Sequence, residues 1–562
     1  IKGLTQNATE QDHRFLAPLG RADWVAIADS VREALTDEVI QAAFEGLPGP
    51  VFDLHGEELI AIARVRRDKL SGVAEEFYEL HSRSVDVVGS NRHETFEVTR
   101  VDDESTRVVV YKTTREGEPQ QEIFRRVFVH DETDELALYG LGGDDRFIVT
   151  GQVREGLTIH AVGGTGEDHF RDDSEVGGRA RLTHFLDSRE SDWSGGDETR
   201  VEVGRRPEDS DYTGHFQYGR TYPAGAAWYN KDDGLVLAGA ALLTSQGFQK
   251  EPFSGTHRFS GSLATGTGAV RLSYEGTARE ALGDWDVGLG VRWANPDNTH
   301  NFYGLGNETP AASTLDQVRI RLGQIDASLP LTRESETGLS LGLTPRLTMT
   351  DVRDDQRPED FPQQPGLSAV TTARQWHLGA AMSVWQEYLD DPVNPRQGFK
   401  WNATGALNRG LGATPDDYAT VSSDLALFTS LRTRRQATMG VRVGGAHSFG
   451  TFPFHQANAI GGETNLRGFR DTRFSGRSSF FANAELRLGL LDIGGSILPG
   501  TLGAIGFFDA GRVWTDDEMS TRWHQGYGGG LWYDIAGELV IRLTNGWSNE
   551  DNAVLFGAGF FF

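Results

Sequence analysis

The sequence contains no cysteine among its 562 residues, so disulfide bonds and thiolate metal sites are excluded. It also has no apolar run of about 18 residues or more, which excludes a membrane protein built from helices. Basic residues are scarce, because 54 Lys and Arg stand against 81 Asp and Glu, for a net charge of −27. Such an acidic chain is poorly suited to nucleic acid, since phosphates attract a basic surface.

Membrane-spanning strands are compatible with this composition, because they alternate apolar and polar residues around a polar lumen. Glycine contributes 69 residues and aromatic residues 10%, which fits curved strands and the aromatic girdles of a barrel. Between residues 213 and 562 the period-two pattern predicts sixteen antiparallel strands, an even number as in bacterial barrels. These strands are predicted to begin near residues 216, 234, 256, 269, 284, 318, 337, 374, 399, 417, 435, 478, 500, 523, 537 and 553.

The lengths of the connections also favour a transmembrane barrel. The three longest predicted connections are 295–317, 353–373 and 449–477. All three lie on the outer side if both termini are periplasmic, as expected for barrels with short periplasmic turns. The connection 449–477 joins the eleventh and twelfth predicted strands, which makes it the sixth external loop.

The last predicted strand bears on how the barrel closes. One face, predicted to contact lipid, carries Val554, Phe556, Ala558, Phe560 and Phe562. Gly557 and Gly559 then fall in mid-strand on the other face, where glycine weakens a strand through entropy and lost packing. We therefore predict that the seam between the first and last strands is the weakest interface of the sheet.

The chain before the barrel divides into two parts. Residues 1–90 are predicted as a helical segment, with helices before Leu47 and from about Glu57, because apolar residues recur three and four apart. Residues 91–205 are predicted as a soluble β-rich domain of short strands. We expect both parts to be periplasmic. Neither an initiator methionine nor a signal peptide precedes Ile1, which we interpret as a mature or trimmed form.

A glycine-rich run in the sixth external loop carries Arg467, followed by Gly468 and Phe469. The next two strands carry acids at inward-facing positions, Glu485 and Asp509. We predict a lumenal ion pair between Arg467 and these two acids, and the alternative is a solvated arginine on the surface. Phe507 shares the parity of Asp509, so we expect its ring to pack against Phe469.

These residues resemble the bacterial surface antigen or BamA/TamA superfamily of outer-membrane barrels, which includes the two-partner secretion transporters. Its Arg-Gly-Phe/Tyr motif is matched by Arg467-Gly468-Phe469, its Asn-x-Glu-x-Arg strand by Asn483, Glu485 and Arg487, and its Phe-x-Asp-x-Gly-x-Val strand by Phe507, Asp509, Gly511 and Val513. The resemblance covers roughly residues 213 to 562 and implies that Arg467 contacts Glu485 and Asp509. The chain departs from the family before the barrel, where βααββ modules are usual and residues 20–203 show helices followed by strands.

Two glycine-rich turns in the β-rich domain each end in aspartate. Gly140–Phe147 contains Asp145, and Gly163–Phe170 contains Asp168 and fits the nonapeptide of calcium-binding β-rolls. True β-rolls repeat every nine residues, whereas these aspartates are 23 positions apart in the sequence. We therefore predict solenoid-like turns with solvated aspartates and no cofactor, and bound Ca²⁺ is the alternative interpretation.

The sequence shows no catalytic motif, so we do not expect an enzyme. Asp53-Leu54-His55 lacks the partners of a metallophosphoesterase signature and is interpreted as ordinary loop residues. The resemblance implies that the barrel moves or inserts a protein or a lipid through the bacterial outer membrane. Expected partners are outer-membrane lipids, an unfolded or secreted protein client, and accessory proteins of the periplasm or outer membrane. Two alternatives stay open: a membrane anchor or pore for an envelope-acting, phosphoesterase-like domain upstream, or a structural calcium-binding surface protein.

Overall fold

A computed structural model describes residues 9–178, 181–187, 191–203, 212, 219–230, 232–250, 253–312, 314–335, 337–352, 374–414, 416–431, 436–495, 498–516 and 518–562. The chain forms two compact units, residues 1–218 and residues 219–562.

The first unit begins with helices. They are α1 (Thr9–Leu16), α2 (Arg21–Ala34), α3 (Asp37–Glu45), α4 (Gly49–Asp68) and α5 (Leu70–His81). The Thr36 hydroxyl caps α3 by accepting a hydrogen bond from the backbone N–H of Val39 at 3.3 Å. None of the described helices is both long and apolar enough to cross a membrane.

The predicted start of the long helix near Glu57 is wrong, because α4 already begins at Gly49. Pro50 is tolerated there, since the first turn of a helix leaves its backbone N–H groups unpaired in any case. Asp53 and His55 consequently lie within α4 and are not loop residues.

The rest of the first unit is a stacked β-structure. Its strands are β1 (Ser84–Val88), β2 (Glu94–Asp102), β3 (Ser105–Thr113), β4 (Pro119–Val129), β5 (Glu135–Tyr139), β6 (Arg146–Thr150), β7 (Gln152–Val153), β8 (Thr158–Val162), β9 (His169–Asp172), β10 (Glu175–Val176), β11 (Thr183–Asp187), β12 (Asp192–Ser194) and β13 (Thr199–Val203). One sheet has the parallel order β1-β5-β8-β11-β13, and a second has the order β12-β9-β6-β2-β3-β4.

Successive coils of this unit stack through identical residue types. The rings of Phe96 and Phe147 lie 4.7 Å apart between centroids, and those of Phe147 and Phe170 lie 5.0 Å apart. All three rings belong to the main apolar core of the unit. The parallel register places each coil directly above the last, so the two sheets enclose one continuous column of apolar side chains.

The aspartates of the two glycine-rich turns are buried, so the expectation that they are solvated is wrong. Asp145 is 0% exposed and Asp168 is 1% exposed. The Oδ1 atom of Asp145 accepts the backbone N–H of Glu94 at 2.7 Å, and Oδ1 of Asp168 accepts that of Asp145 at 2.8 Å. Each of these two carboxyl groups thus points into the interior and accepts a hydrogen bond from a neighbouring backbone N–H group.

The second unit is a closed antiparallel barrel. Its strand segments are β14 (Thr221–Asn230), β15 (Gly234–Ser245), β16 (Gly255–Ala264), β17 (Val270–Leu282), β18 (Trp285–Asn301), β19 (Arg319–Ser328), β20 (Leu331–Glu334), β21 (Leu339–Val352), β22 (Gln375–Leu389), β23 (Gly398–Gly410), β24 (Asp417–Ser430), β25 (Ala437–Gly450), β28 (Ser478–Ile493), β29 (Gly500–Trp514), β30 (His524–Ile535), β31 (Leu539–Trp547) and β32 (Asn552–Ala558).

The barrel has 16 strands, which confirms the predicted fold class. Segments β19 and β20 form one strand that is interrupted at Pro330, because both pair with the same two neighbours, β18 and β21. From the second strand to the last, the observed starts lie within two residues of the predicted ones. The predicted first start falls in residues 213–218, outside the described part of the chain, and the described strand begins at Thr221.

Side chains alternate between the lumen and the outer wall. In β28, Asn483, Glu485 and Arg487 are buried, whereas Leu486 and Leu488 are 40% and 38% exposed on the opposite face. This arrangement suits a sheet with hydrocarbon outside and polar groups inside.

The long external connections differ in one respect from the prediction. The first of them is shorter, residues 302–318, because β18 continues to Asn301 with a bulge between Ala294 and Asn298. The predicted connection 353–373 lies outside the described residues. Residues 451–477, called loop six below, join β25 to β28.

Candidate functional site

Loop six folds into the barrel around a short structured core. It contains β26 (Asn458–Ile460), the helical turn α6 (Gly462–Asn465) and β27 (Phe474–Gly476). Arg467 follows the helical turn and is 3% exposed. Gly468 comes next with φ of +90°, a left-handed conformation that side-chain-bearing residues rarely adopt.

Arg467 lies between the two predicted acids. Its Nε donates to Asp509 Oδ2 and its Nη2 to Asp509 Oδ1, both at 2.7 Å, while its backbone N–H donates to Oδ2 at 3.0 Å. Its Nη1 donates to Glu485 Oε1. Both acidic side chains are 0% exposed, so this is a buried, bidentate ion pair of the kind in which arginine is strongest.

Two aromatic rings enclose the same guanidinium. Its central carbon lies 3.7 Å from the ring centroid of Phe507 and 3.9 Å from that of Phe561. Ring faces attract a cation more strongly when water is excluded, so the rings add to the ion pair. The prediction that Phe507 packs against Phe469 is therefore wrong, because its ring packs on the guanidinium of Arg467.

Phe469 belongs to the apolar core of loop six. Its ring centroid lies 5.5 Å from that of Phe474 and 6.0 Å from that of His524 on β30. Ile460 and Val513 complete the cluster with Leu466. The turn at Gly468 separates the directions of the two flanking side chains, so Arg467 contacts the acids while Phe469 anchors the loop to β29 and β30.

A second arginine extends the cluster along β28. Arg487 donates from Nε and Nη2 to Glu485 Oε2 at 3.1 and 3.0 Å, so one glutamate bridges two arginines. The Arg487 guanidinium also lies 3.8 Å from the ring centroid of Phe560 and donates to the main-chain oxygen of Phe562 at 3.0 Å.

Residues 559–562 turn into the lumen, so the predicted lipid-facing position of Phe560 and Phe562 is wrong. Strand β32 ends at Ala558, and Gly559 has φ of +76°, which redirects the chain. The physical reason is the attraction of buried guanidinium groups for aromatic faces and for the oxygen of Phe562. Gly557 lies within β32, whereas Gly559 lies beyond its end.

The seam between β14 and β32 is a short contact. The first and last strands share one registered pair among the described residues, Tyr229 with Phe556. On its other side, β32 pairs with β31 from Ile541–Ala558 to Trp547–Asn552. In the described part of the chain, the closure of the barrel therefore rests on this single registered pair.

Comparison with known proteins identifies the family. The sequence profile of the Omp85 superfamily domain matches residues 257–562, more than half of the chain. The chain belongs to the Omp85 superfamily. It is an outer-membrane β-barrel protein related to the BamA/TamA group, as the motifs had indicated.

Several solved structures are similar to this Omp85 barrel. BamA from Haemophilus ducreyi lacking POTRA domains 1-3 is 13% identical with a TM-score of 0.47, over 61% of this chain and 70% of that chain. CdiB from Escherichia coli is 14% identical with a TM-score of 0.43, over 65% of each chain. CdiB from Acinetobacter baumannii is 16% identical with a TM-score of 0.40, over 60% of this chain and 59% of that chain. The chain thus spans less than two thirds of either CdiB. No curated protein matches it in sequence.

Glycines that make room for loop six were not predicted from the sequence. A side-chain carbon on Gly526 of β30 would lie 1.8 Å from the carbonyl oxygen of Arg467, and one on Gly546 of β31 would lie 2.9 Å from the backbone nitrogen of Gly468. The Omp85 barrel thus receives loop six against bare backbone. The available signal was the cluster of glycines at 526 and 528–530, since glycine inside a strand often marks the close approach of another backbone.

The two buried aspartates of the first unit, Asp145 and Asp168, have raised pKa values. Burial raises the pKa of Asp145 to about 9 and that of Asp168 to about 7, because the charged carboxylate is poorly solvated there. In the part of the chain that the structure describes, no three His, Asp or Glu side chains form a group that could hold a metal ion.

Proposed function

We propose that this Omp85 barrel inserts or translocates a protein client at the outer membrane by opening laterally at the seam between β14 and β32. The observation that carries the proposal is that the described residues show a single registered pair, Tyr229 with Phe556, at the closure of the sheet. Unpaired backbone groups are very costly in hydrocarbon, so a sheet opens where the fewest hydrogen bonds are lost. An exposed strand edge can then pair with a strand of the client.

The lumenal cluster supports this role because it fixes loop six and the end of the chain, on the β32 side of the seam. Arg467 ties loop six to β28 and β29 through Glu485 and Asp509, and Phe561 joins the end of the chain to the same guanidinium. The β32 side of the seam is thus held in place while β14 separates from it. The chain contributes positioning and opening rather than catalysis. The first unit lies in the periplasm, where it meets the client or accessory proteins.

A second candidate is an anchor or pore for an envelope-acting enzyme domain. It is favoured by the first unit, in which helices α1–α5 precede the stacked sheets and the described residues show no βααββ order of the family's usual modules. In that case the seam stays closed during function.

A lipid client would use the same opening as a protein client.

A disulfide across the seam distinguishes these functions. The chain has no native cysteine, so Tyr229→Cys with Phe556→Cys gives a single defined crosslink between registered residues. The matched control is Leu543→Cys with Phe556→Cys, which joins β31 to β32 at a pair that does not need to open. Each variant replaces the protein in its native host, and outer-membrane proteins and lipids are quantified with and without reductant.

We expect the seam crosslink to abolish client insertion and reductant to restore it, while the control crosslink has little effect. Loss of outer-membrane proteins indicates a protein client, and loss of lipids alone indicates a lipid client. Normal activity of the oxidised seam variant would refute lateral opening and favour the anchor.

A further inference from the structure

One arginine of loop six joins the two hairpins that flank the seam. Arg470 Nη1 lies 3.0 Å from Asp232 Oδ1, in the turn between β14 and β15. Its Nε lies 3.5 Å from Asp551 Oδ2, in the turn between β31 and β32. Asp232 and Arg470 are 238 positions apart in the sequence, and the closed barrel brings them together.

Loop six is attached firmly to the last hairpin. Arg473 donates from Nε and Nη2 to the carboxylate of Glu550 at 2.5 and 3.0 Å. Gly468 lies so close to the Trp547 backbone that a side-chain carbon would be 2.7 Å from its carbonyl group. Loop six and the β31–β32 hairpin are therefore joined into one body by side-chain and backbone contacts.

The first hairpin is held from its other side. Asn301 Nδ2 donates to Asp232 Oδ1 at 3.0 Å, and Arg319 Nη2 donates to the backbone oxygen of Asp232 at 2.8 Å. Both partners stand at the outer ends of β18 and β19. The carboxylate of Asp232 thus has a defined position on the β14 side of the seam.

Packing beside the pair is incomplete. A cavity of about 360 Å³ is lined by Trp228 of β14, by Leu555 of β32 and by Arg470 with both aspartates. Because open space lies between the hairpins here, the charged contact is a direct link across a poorly packed part of the seam. The side chains of Asp232 and Arg470 are 12% and 22% exposed, so water weakens their attraction only in part.

We propose that the contact of Arg470 with Asp232, the cross-seam pair, holds the outer end of the seam closed and sets how often it opens. The pair reaches from the body formed by loop six and the last hairpin to the first hairpin, so opening at this end separates the two charges. Its purpose in transport rests on the proposed function, but its effect on the seam does not.

Seam opening can be measured by pulsed electron paramagnetic resonance between spin labels at Leu263→Cys on β16 and Leu543→Cys on β31. Both positions are exposed on the outer wall, at 45% and 52%, and four strand spacings of roughly 4.8 Å separate them across the seam. The full-length protein is studied in lipid vesicles, and heat-modifiable migration on gels verifies that each variant is folded.

We expect Arg470→Gln and Asp232→Asn each to raise the population of long distances by about tenfold, the effect of losing a partly buried ion pair. Arg470→Lys keeps a positive charge beside Asp232 and Asp551 and should keep the short distance. The matched control is Arg477→Gln, another loop-six arginine of similar exposure, whose partner Asp516 lies beyond β29 and away from the seam. It should leave the distances unchanged.

Unchanged distances in Arg470→Gln, or an equal rise in long distances in Arg470→Lys and Arg470→Gln, would overturn the cross-seam pair. The proposed function is judged separately by client insertion. If the seam opens more often in Arg470→Gln and the oxidised seam crosslink still allows insertion, the pair stands and lateral transport falls. If the crosslink blocks insertion and the distances do not respond, transport stands and the pair falls.

Discussion

Removing Arg467 tests the lumenal cluster most directly. Arg467→Ala would leave Asp509 and Glu485 buried without their shared cation, and both side chains are 0% exposed. Breaking a buried pair by removing one partner costs ~3–5 kcal/mol, because the remaining charge is desolvated and uncompensated. Most of this loss falls on Asp509, since Glu485 keeps Arg487 as a partner at 3.0 Å.

The second substitution should add little. Asp509→Ala alone takes the bidentate partner from the buried guanidinium of Arg467, leaves it only Glu485, and is expected to cost a similar ~3–5 kcal/mol. In the double variant neither charge is stranded, so the total should fall well below the sum of the single effects. Arg467→Lys should not restore stability, because an ammonium group cannot reach Asp509 with the two-pronged geometry of a guanidinium.

The free energies are measured by urea unfolding in lipid vesicles, followed by tryptophan fluorescence and by heat-modifiable migration on gels. Arg477→Ala serves as the control, because that arginine also lies in loop six but is 29% exposed beside Asp516. Its loss should cost only about 1–2 kcal/mol, because Arg477 pairs with an exposed acid and donates to the backbone oxygens of Ser448 and Gly450. Full additivity of Arg467→Ala and Asp509→Ala would refute the coupling of the two side chains.

Three further outcomes are expected. Phe561→Ala removes one of the two rings over Arg467 and should lower the free energy of barrel unfolding by ~1–2 kcal/mol, in the same urea assay. Gly526→Ala should displace loop six, because the added carbon would lie 1.8 Å from the Arg467 carbonyl oxygen, and protease cleavage within the loop should rise. The stability of the first unit should fall as pH rises from 5 to 8, because folding raises the pKa of Asp145 to about 9 and that of Asp168 to about 7 from an ordinary 3.8. These groups stabilise fully below pH 3.8 and lose that contribution as pH rises through the folded pKa values. Hydrogen exchange of the full chain, corrected for intrinsic rates, should show this slope, and Asp145→Asn should reduce it by about 1.4 kcal/mol per pH unit. An unchanged slope in Asp145→Asn would contradict a protonated carboxyl group.

The strands of the barrel could be predicted from the sequence because alternation in a strand is local. A strand such as β28 shows its faces in the order of its own residues, with Glu485 and Arg487 on one side and Leu486 on the other. Unequal loops then identified the outer side, and the position of loop six followed from counting. The acids opposite Arg467 were predictable for the same reason, since inward parity on two adjacent strands places their side chains in one lumen.

Other features depended on contacts that no local pattern encodes. The alternating sequence pattern continues to Phe562, so it does not show that the strand ends at Ala558. The inward turn there places Phe560, Phe561 and Phe562 beside Arg467 and Arg487. The aspartates at 145 and 168 looked solvated because polar residues in glycine-rich turns usually are. Stacking of the coils buried them instead.

The sequence by itself determined the alternating strands, their number and the loop that carries Arg467, because each of these depends on residues close together in the chain. Tertiary structure alone decided which distant groups meet, such as Arg470 with Asp232, and where bare glycine backbone admits the loop. The physical reason is the closure of the barrel. The two edges of the sheet become neighbours only when the first strand meets the last, and only then can charged groups on either side of the seam lie within ion-pair distance.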